Sequence, residues 1–438
     1  MPELYDILKA QYGKCPPDCS ACQEACVAER TGEEACSGIT AIHIPEMEFH
    51  SVTRCSQCSE PACASICITG AITKSDTDGI VRIDNERCLG CGLCTLACPY
   101  GAMSYNPDKQ KAFKCDLCDG NPKCLSACQH GVLSFLKGRS ITSYFRDEDV
   151  FSPGVPNCTG CGIELGMRFT FKVLGKDTFV FGAPGCSVFL TRGVSTEALC
   201  KLPTYMCLMT NVPSTATGVS RYYRHIGKDI KTVVFIGDGS AVDVGFQPLS
   251  GAAERGENLI VICSDNEGYQ ATGNQRSGST SQLSRTSTTP VGGKWQGKPQ
   301  SPKYMPLIMA FHEIPYVATA VMSYPEDYAA KLEKAMAVNN GMSYIHLFSS
   351  CPTGWGARTE DTIEIGRRAV ETNYFPLWET ENGKFRFTHQ VNKPKPIEEF
   401  TNFMGRFSHL KEKDLAELQQ SVDDRLELID NLCKMSDK

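Results

Sequence analysis

No stretch of the sequence approaches the ~20 consecutive apolar residues that a membrane-spanning helix needs. The N-terminal MPELYDILKAQYG lacks the basic start and apolar centre of an export signal. Positive charge is not in surplus either. Lys and Arg number 44 against 50 Asp and Glu, a formal net charge of −6, which removes the electrostatic case for binding nucleic acid or an anionic bilayer. A soluble, cytoplasmic protein is expected. At 438 residues the chain has room for two domains and an appendage.

What the sequence has in excess is cysteine, 25 residues in all. A secreted disulfide scaffold would be short, whereas this chain is long and carries no export signal. Seventeen of the 25 precede residue 130, in tight groups that suit metal ligation. The first group is Cys15, Cys19, Cys22 and Cys26, and the second is Cys55, Cys58, Cys63 and Cys67. The third, Cys88, Cys91, Cys94 and Cys98, lies in CLGCGLCTLACP, and the fourth is Cys115, Cys118, Cys124 and Cys128. The third is the ferredoxin run C-x2-C-x2-C-x3-C-P, whose last cysteine serves the other cluster of a pair. Zinc also binds four cysteines, but from two knuckles of two each. Four successive groups of four fit four [4Fe–4S] clusters better, with short spacing wrapping three thiolates round one cube face.

The rest of the chain is organised around residues 231–275. The apolar run Val233–Ile236 ends in Gly237-Asp238-Gly239, and a second, Leu259–Cys263, ends in Ser264-Asp265-Asn266. Ala241–Arg255 between them has helical composition, so the order is strand, glycine turn, helix, strand. Asp238 and Asn266 then stand just past the carboxyl ends of parallel strands, where ligands of open α/β sheets bind. Mg²⁺ takes hard oxygen donors and substrate phosphates. Asp238 offers a carboxylate, Asn266 an amide oxygen and Gly268 a main-chain carbonyl, while Gly237 and Gly239 admit phosphates to the backbone. A lone GDG is more often a β-turn with a surface aspartate. Its pairing with the asparagine, Tyr269 and Thr272-Gly273 favours a magnesium diphosphate.

GDGSAVDVGFQ together with DNEGYQATGNQRSGST resembles the thiamine-diphosphate-binding β subunit of the 2-oxoacid:ferredoxin (acceptor) oxidoreductases, over roughly residues 155–373. The resemblance implies an α/β fold, a parallel-sheet domain with helices on both faces. It implies Cys186, Ser187, Gly237, Asp238, Gly239, Ser240, Asn266, Gly268, Tyr269, Thr272 and Gly273 as cofactor-binding positions, with Mg²⁺ on Asp238, Asn266 and Gly268. By itself Cys158-x2-Cys161 reads equally as a zinc knuckle or a redox dithiol. In the family, C-x2-C, a later cysteine and CPTGW hold a [4Fe–4S] cluster beside the thiamine, so Cys158, Cys161, Cys186 and Cys351 are implied as its ligands. The four N-terminal groups resemble four-cluster ferredoxin subunits of bacterial oxidoreductases, preceding the catalytic domain as an α+β polyferredoxin-like domain. That likeness pairs Cys15, Cys19, Cys22 with Cys128; Cys26 with Cys115, Cys118, Cys124; Cys55, Cys58, Cys63 with Cys98; and Cys67 with Cys88, Cys91, Cys94. The first group has three residues rather than two between Cys15 and Cys19, which leaves Cys36 competing with Cys15. Cys36, Cys200, Cys207, Cys263 and Cys433 remain without a role.

Three divisions follow: 1–150 with four clusters, 151–375 with the thiamine site and a fifth cluster, and 376–438 as an extension. Phe151–Asn157, with two prolines and a glycine, marks the first boundary. Thr73–Asp84 reads as a hairpin turning at Asp78-Gly79. Residues 274–303, rich in Ser, Thr, Gly and Lys, form either a functional loop at the site mouth or a disordered surface segment. Leu202–Lys228, with Arg221, Tyr222, Tyr223, Arg224 and His225, reads as a solvated or subunit-facing helix. Leu415, Leu418, Val422, Leu426 and Ile429 make one face of an amphipathic helix, packed on a partner or on this chain.

The resemblance implies CoA-dependent oxidative decarboxylation of a 2-oxo acid, with electrons leaving through five clusters to ferredoxin or an NAD-reducing flavoprotein subunit. The glutamate that activates thiamine belongs to a separate domain in this family, so α-type and γ-type partner subunits are expected. Family members acting on pyruvate carry Asn where this chain has Ala271, which implies a larger, less polar pocket for a bulky or aromatic 2-oxo acid. The fused cluster domain resembles the NAD-reducing, phenylglyoxylate-oxidising branch. A pyruvate-oxidising β subunit, a non-oxidative thiamine decarboxylase and a purely electron-transferring subunit are the alternatives.

Overall fold

A computed structural model describes residues 7–10, 15–29, 36–47, 49–58, 60–75, 78–136, 141–146, 150–154, 157–187, 200–391 and 393–436. Positions 155 and 156 of the expected boundary linker, and 76 and 77 of the expected hairpin turn, lie outside these. The chain divides into two compact units, Met1–Tyr144 and Phe145–Lys438.

The first unit is built of short antiparallel pairs: Ile39–Ile44 with Phe49–Arg54, Ile72–Lys74 with Val81–Ile83, and Met103–Asn106 with Lys111–Lys114. Ile7–Ala10 pairs with Leu133–Leu136. The expected hairpin is the second pair, with Gly79 at φ +69° and Arg82 clasping Asp78 at 2.7 Å and Asp119 at 2.8 Å. Short helices lie within the cysteine groups, among them Ala62–Ser65, Leu93–Ala97 and Lys123–Ala127. Large aliphatic side chains are few, and Cys15, Cys22, Cys26, Cys115 and Cys124 are themselves core residues beside Ile39, Val52 and Leu117. A core made so largely of thiols depends on what the thiols bind.

The second unit contains, in chain order, α1 (Gly162–Leu174), β1 (Thr178–Gly182), β2 (Thr204–Met206), α2 (Val212–His225), β3 (Lys231–Gly237), α3 (Phe246–Glu254), β4 (Ile260–Asp265), α4 (Met305–Ala310), β5 (Tyr316–Val321), α5 (Pro325–Ala337), β6 (Ser343–Phe348), α6 (Thr362–Glu371), β7 (Leu377–Glu381), β8 (Lys384–His389) and α7 (Glu412–Ser436). One eight-stranded sheet has the order β2-β1-β3-β4-β6-β5-β7-β8. Strands β2 to β5 in that order are parallel, as expected, and β3, β4, β5 and β6 are each reached through a helix. The sheet is nonetheless mixed: β7 and β8 form a hairpin that adds antiparallel to β5. Central strands are buried on both sides, which explains their unbroken apolar runs. Val234, Ile236, Val261 and Cys263 face a core with Val212 of α2 and Leu249 of α3, while Phe235 meets Phe171 of α1 at 6.0 Å on the other side.

Two expectations change here. Residues 376–438 are no separate extension: they supply β7 and β8, and α7 buries Ile429 in one core cluster and Leu418 and Val422 in another of the same unit. The helix after Gly239 opens with a wide π-type turn, Gly239–Val244, and becomes α-helical only after Gly245.

The β5–β7 junction carries a testable ion cluster. Glu379 is buried and accepts from Lys334 Nζ at 2.5 Å, Tyr316 Oη at 2.7 Å and Arg386 Nε at 2.7 Å. Burial alone would raise its carboxyl, but these donors outweigh it and hold the group below its ordinary 4.5. A depressed folded value stabilises the fold above the ordinary value, and that stability is lost as pH falls through the folded one. Lys334 and Arg386 reach solvent, so Glu379→Gln should cost about 1–3 kcal/mol at pH 7. The difference from wild type should shrink towards pH 3, as read by urea unfolding.

Candidate cofactor and iron–sulfur sites

Four adjacent parallel strands deliver the site residues at their carboxyl ends. Register pairs Gly182 with Phe235, Gly237 with Ser264, and Asp265 with Phe348. Cys186 and Ser187 therefore follow β1, Asp238 follows β3, Asn266 follows β4 and Cys351 follows β6. Cys161 caps the N-terminus of α1, and the Gly162 N–H donates to the Ser350 carbonyl at 3.1 Å, tying that helix start to the Cys351 loop.

A cleft of about 140 Å³ opens where these ends meet. Cys186 and Ser187 line it from β1, Gly237, Asp238 and Gly239 from β3, and Asn266, Gly268 and Tyr269 from β4, with Ala271 and Thr272 following. Ser240 and Gly273 are not among its lining residues. Ser240 is buried and donates to the Met209 carbonyl at 2.6 Å. Gly239 has no room for a side chain, since a Cβ there would fall 2.5 Å from the Tyr269 ring.

The Asn266 side-chain oxygen lies 3.2 Å from Asp238 Oδ1 and 2.9 Å from the Gly268 carbonyl oxygen. Turning the amide over would convert both contacts to hydrogen bonds. A cation explains them without a turn: adjacent ligands of an octahedral ion with 2.0–2.1 Å bonds stand about 2.9 Å apart. In that orientation the amide nitrogen faces Cys186 Sγ at 3.9 Å. Electrostatics agree. Burial, and then the charge of Asp265, push the Asp238 carboxyl well above its ordinary value, so a divalent ion would supply the charge its carboxylate form needs. The residues present fit Mg²⁺ and a diphosphate.

Carboxylates around the cleft are held by residues the sequence reading passed over. Ser277 Oγ donates to Asp238 Oδ2 at 2.5 Å, and Thr280 Oγ1 to the Glu267 carbonyl at 2.7 Å. Ser279 bonds Asp265, which also pairs with His346 Nε2 at 2.8 Å. Residues 274–303 are thus a packed wall of the site, with Ser277, Thr280, Ser284 and Lys298 buried. Their one legible signal was length, unusual for a loop without function.

Cysteines from separate segments gather in both units. Burial first, then Cys351, Cys161 and Cys158, push the Cys186 thiol up to about 12. Cys15, Cys19, Cys22 and Cys128 line one cavity of the first unit, Cys55, Cys58, Cys63 and Cys98 a second, and Cys67, Cys88, Cys91 and Cys94 a third. Cys124, raised to about 12 mainly by burial, has Cys115, Cys26 and Cys118 among its neighbours. Cys15, not Cys36, lines the first cavity. Backbone N–H groups point at the ring sulfurs: Ala102 to Cys98 at 3.4 Å, Leu133 to Cys128 at 3.4 Å, Gly354 to Cys351 at 3.3 Å. Thiols raised this far become thiolates only against a strong cation, which iron supplies.

Known proteins agree with both halves. Residues 185–347 match the thiamine pyrophosphate enzyme C-terminal TPP-binding domain, and residues 46–137 match the 4Fe-4S dicluster domain. The chain is 38 % identical to the NADH-dependent phenylglyoxylate dehydrogenase subunit beta of Aromatoleum evansii, over 99 % of this chain and 98 % of that one. This chain belongs to the β-subunit family of the 2-oxoacid oxidoreductases. Other relatives in the family match part of this chain: pyruvate synthase subunit PorB of Methanocaldococcus jannaschii is 41 % identical over 66 % of this chain and 99 % of its own. Ketoisovalerate oxidoreductase subunit VorB of Pyrococcus furiosus is 37 % identical over 66 % and 94 %. Each is named as one subunit of an enzyme, so this β subunit works with other subunits. It is an oxidoreductase subunit with a thiamine-diphosphate domain and iron–sulfur clusters. Among the described residues no helix is long and apolar enough to cross a membrane.

Proposed function

We propose that this β subunit holds thiamine diphosphate through Mg²⁺ on Asp238, Asn266 and Gly268, next to a [4Fe–4S] cluster on Cys158, Cys161, Cys186 and Cys351. Bound there, the cofactor supplies carbanion chemistry at a 2-oxo carbon, so that CO₂ leaves and coenzyme A takes the acyl group. Asp238 and its neighbours anchor the diphosphate, Ser277 fixes the carboxylate that does so, and the packed 274–303 wall keeps water from the carboxylates. Electrons leave one at a time through the proximal cluster and the four N-terminal clusters, on the quartets given above. An α-type subunit contributes the activating glutamate, and a γ-type subunit completes the complex. The boundary near 150 goes with this reading, and the residues past 375 serve the catalytic unit as structural support.

For the substrate, the supporting observation is Ala271 on the cleft, where an asparagine would fill space and present an amide. A bulky or aromatic 2-oxo acid such as phenylglyoxylate fits that position. The phenylglyoxylate dehydrogenase β subunit is similar over 99 % of this chain, which favours NAD, through a flavoprotein subunit, over ferredoxin as acceptor. Anaerobic holoenzyme should turn over phenylglyoxylate faster than pyruvate or 2-oxobutyrate in steady-state assays with CoA. Ala271→Asn should move the ratio of kcat/KM values towards pyruvate by about tenfold, the usual scale of small steric changes in a pocket. Faster turnover of pyruvate by the wild type would remove the substrate reading.

A further inference from the structure

Arg406 belongs to a tight turn, Gly405–Phe407, far along the chain from every ligand so far described. It is 3 % exposed. The Gly405 N–H donates to the Gly356 carbonyl at 3.1 Å and the Arg285 N–H to the Arg406 carbonyl at 3.1 Å, so the turn is pinned to the loop that carries Cys351. The guanidinium carbon stands 3.8 Å from the Trp355 ring centroid. Trp355 in turn bonds Cys351 through its backbone, N–H to carbonyl at 2.9 Å, and Asn266 through its indole, Nε1 to carbonyl at 3.0 Å.

Only one edge of the guanidinium is neutralised. Nη1 donates to Glu267 Oε2 at 2.7 Å, while Nε and Nη2 have no hydrogen-bond partner among the described residues. Burying a cation with two nitrogens left without a partner is costly, and a well-packed apolar residue would serve a purely structural role better. Glu267 is itself held at φ +55° and takes a second bond from Tyr374 Oη at 2.6 Å. The pair therefore spans from the turn that carries Asn266 to the loop that carries Cys351, with its positive end on the Trp355 side.

We propose that Arg406 sets the reduction potential of the cluster on Cys158, Cys161, Cys186 and Cys351, acting as a positioning residue that fixes a positive charge behind Cys351. Reduction adds a negative charge to the cluster, so a fixed cation favours the reduced form, net charge being one of the levers on cluster potential. The proximal cluster is thereby kept a ready electron acceptor. This inference rests on the cluster assignment made above.

The test is an EPR-monitored redox titration of anaerobic holoenzyme, with the proximal signal identified as the one lost in Cys351→Ser. Arg406→Met should lower the reduced-to-oxidised ratio at fixed potential by about tenfold, or ~59 mV for one electron. Arg406→Lys keeps the charge and should stay within about twofold of wild type. Glu267→Gln, which keeps its shape, should raise the ratio, because it leaves the guanidinium uncompensated. If Arg406→Met does not assemble, the opposite-signed shift in Glu267→Gln still decides the matter. No change in either charge variant overturns the role of Arg406 and leaves the cluster assignment standing. A Cys351→Ser enzyme with undiminished iron and no lost signal overturns the assignment instead.

Discussion

Asp238→Asn holoenzyme should lose turnover by on the order of 10³-fold or more, with its thiamine diphosphate washed out, while the fold survives. The argument has two halves. A carboxylate–metal bond contributes several kcal/mol, and each 1.36 kcal/mol is a factor of ten. Asparagine keeps the shape and still accepts from Ser277, which donates to Asp238 at 2.5 Å, but it brings no charge to the ion. Without metal, by contrast, Asp238 is a liability. Its folded value is raised, by burial first and Asp265 second, so the folded state binds the proton more tightly than the unfolded one. Stability of the metal-free protein should then fall as pH rises above the ordinary 3.8, and Asp238→Asn should remove that fall. Mg²⁺ should reverse the trend in wild type only, because binding needs the carboxylate form. Thermal melts with and without Mg²⁺ at pH 5 and 8, together with cofactor content after gel filtration, read all of this. Retained thiamine diphosphate in the variant would refute the anchoring role.

The second large effect is expected at Cys351→Ser. Iron should fall by about four atoms per chain, one [4Fe–4S] cluster, and acceptor reduction by ~100-fold or more, since the site loses its nearest electron acceptor. Thiamine diphosphate should remain bound, because the three oxygens of Asp238, Asn266 and Gly268 do not involve the sulfur. The two variants thus separate the paired functions of one strand-end cluster: one empties the cofactor site and spares the iron, the other does the reverse. Loss of both in either variant would mean that the sites are built as a single unit and that the residue roles are assigned wrongly.

How far the sequence alone reaches depends on how local each feature is. Cysteine groups, the GDG turn and the apolar strands are written in consecutive residues, so spacing and periodicity expose them. Features made by residues far apart are different. Ser277 and Ser279 look like loop polarity until the fold puts them against Asp238 and Asp265. Arg406 follows Glu267 by 139 positions, and nothing in its neighbours announces a buried ion pair. The β7–β8 hairpin resembled an appendage because β8 alternates, Phe385 in and Arg386 out, and β7 buries the polar Glu379 and Thr380, unlike the continuous apolar runs of the parallel strands. The helix around α3 was legible, but its wide first turn was not, since Gly245 packs against the carbonyls of Met209 and Ser240 at 2.5 and 2.6 Å from a notional Cβ, a tertiary contact.

Two of the proposed cluster ligands, Cys91 and Cys158, are exposed, while each of their companions is wholly or partly covered. Dioxygen and peroxide attack thiolates in proportion to their accessibility. Damage in air should therefore start at these two corners, one in each unit. The working lifetime of this molecule is a property of its atmosphere, and whatever covers those corners in the assembled complex doubles as its shield.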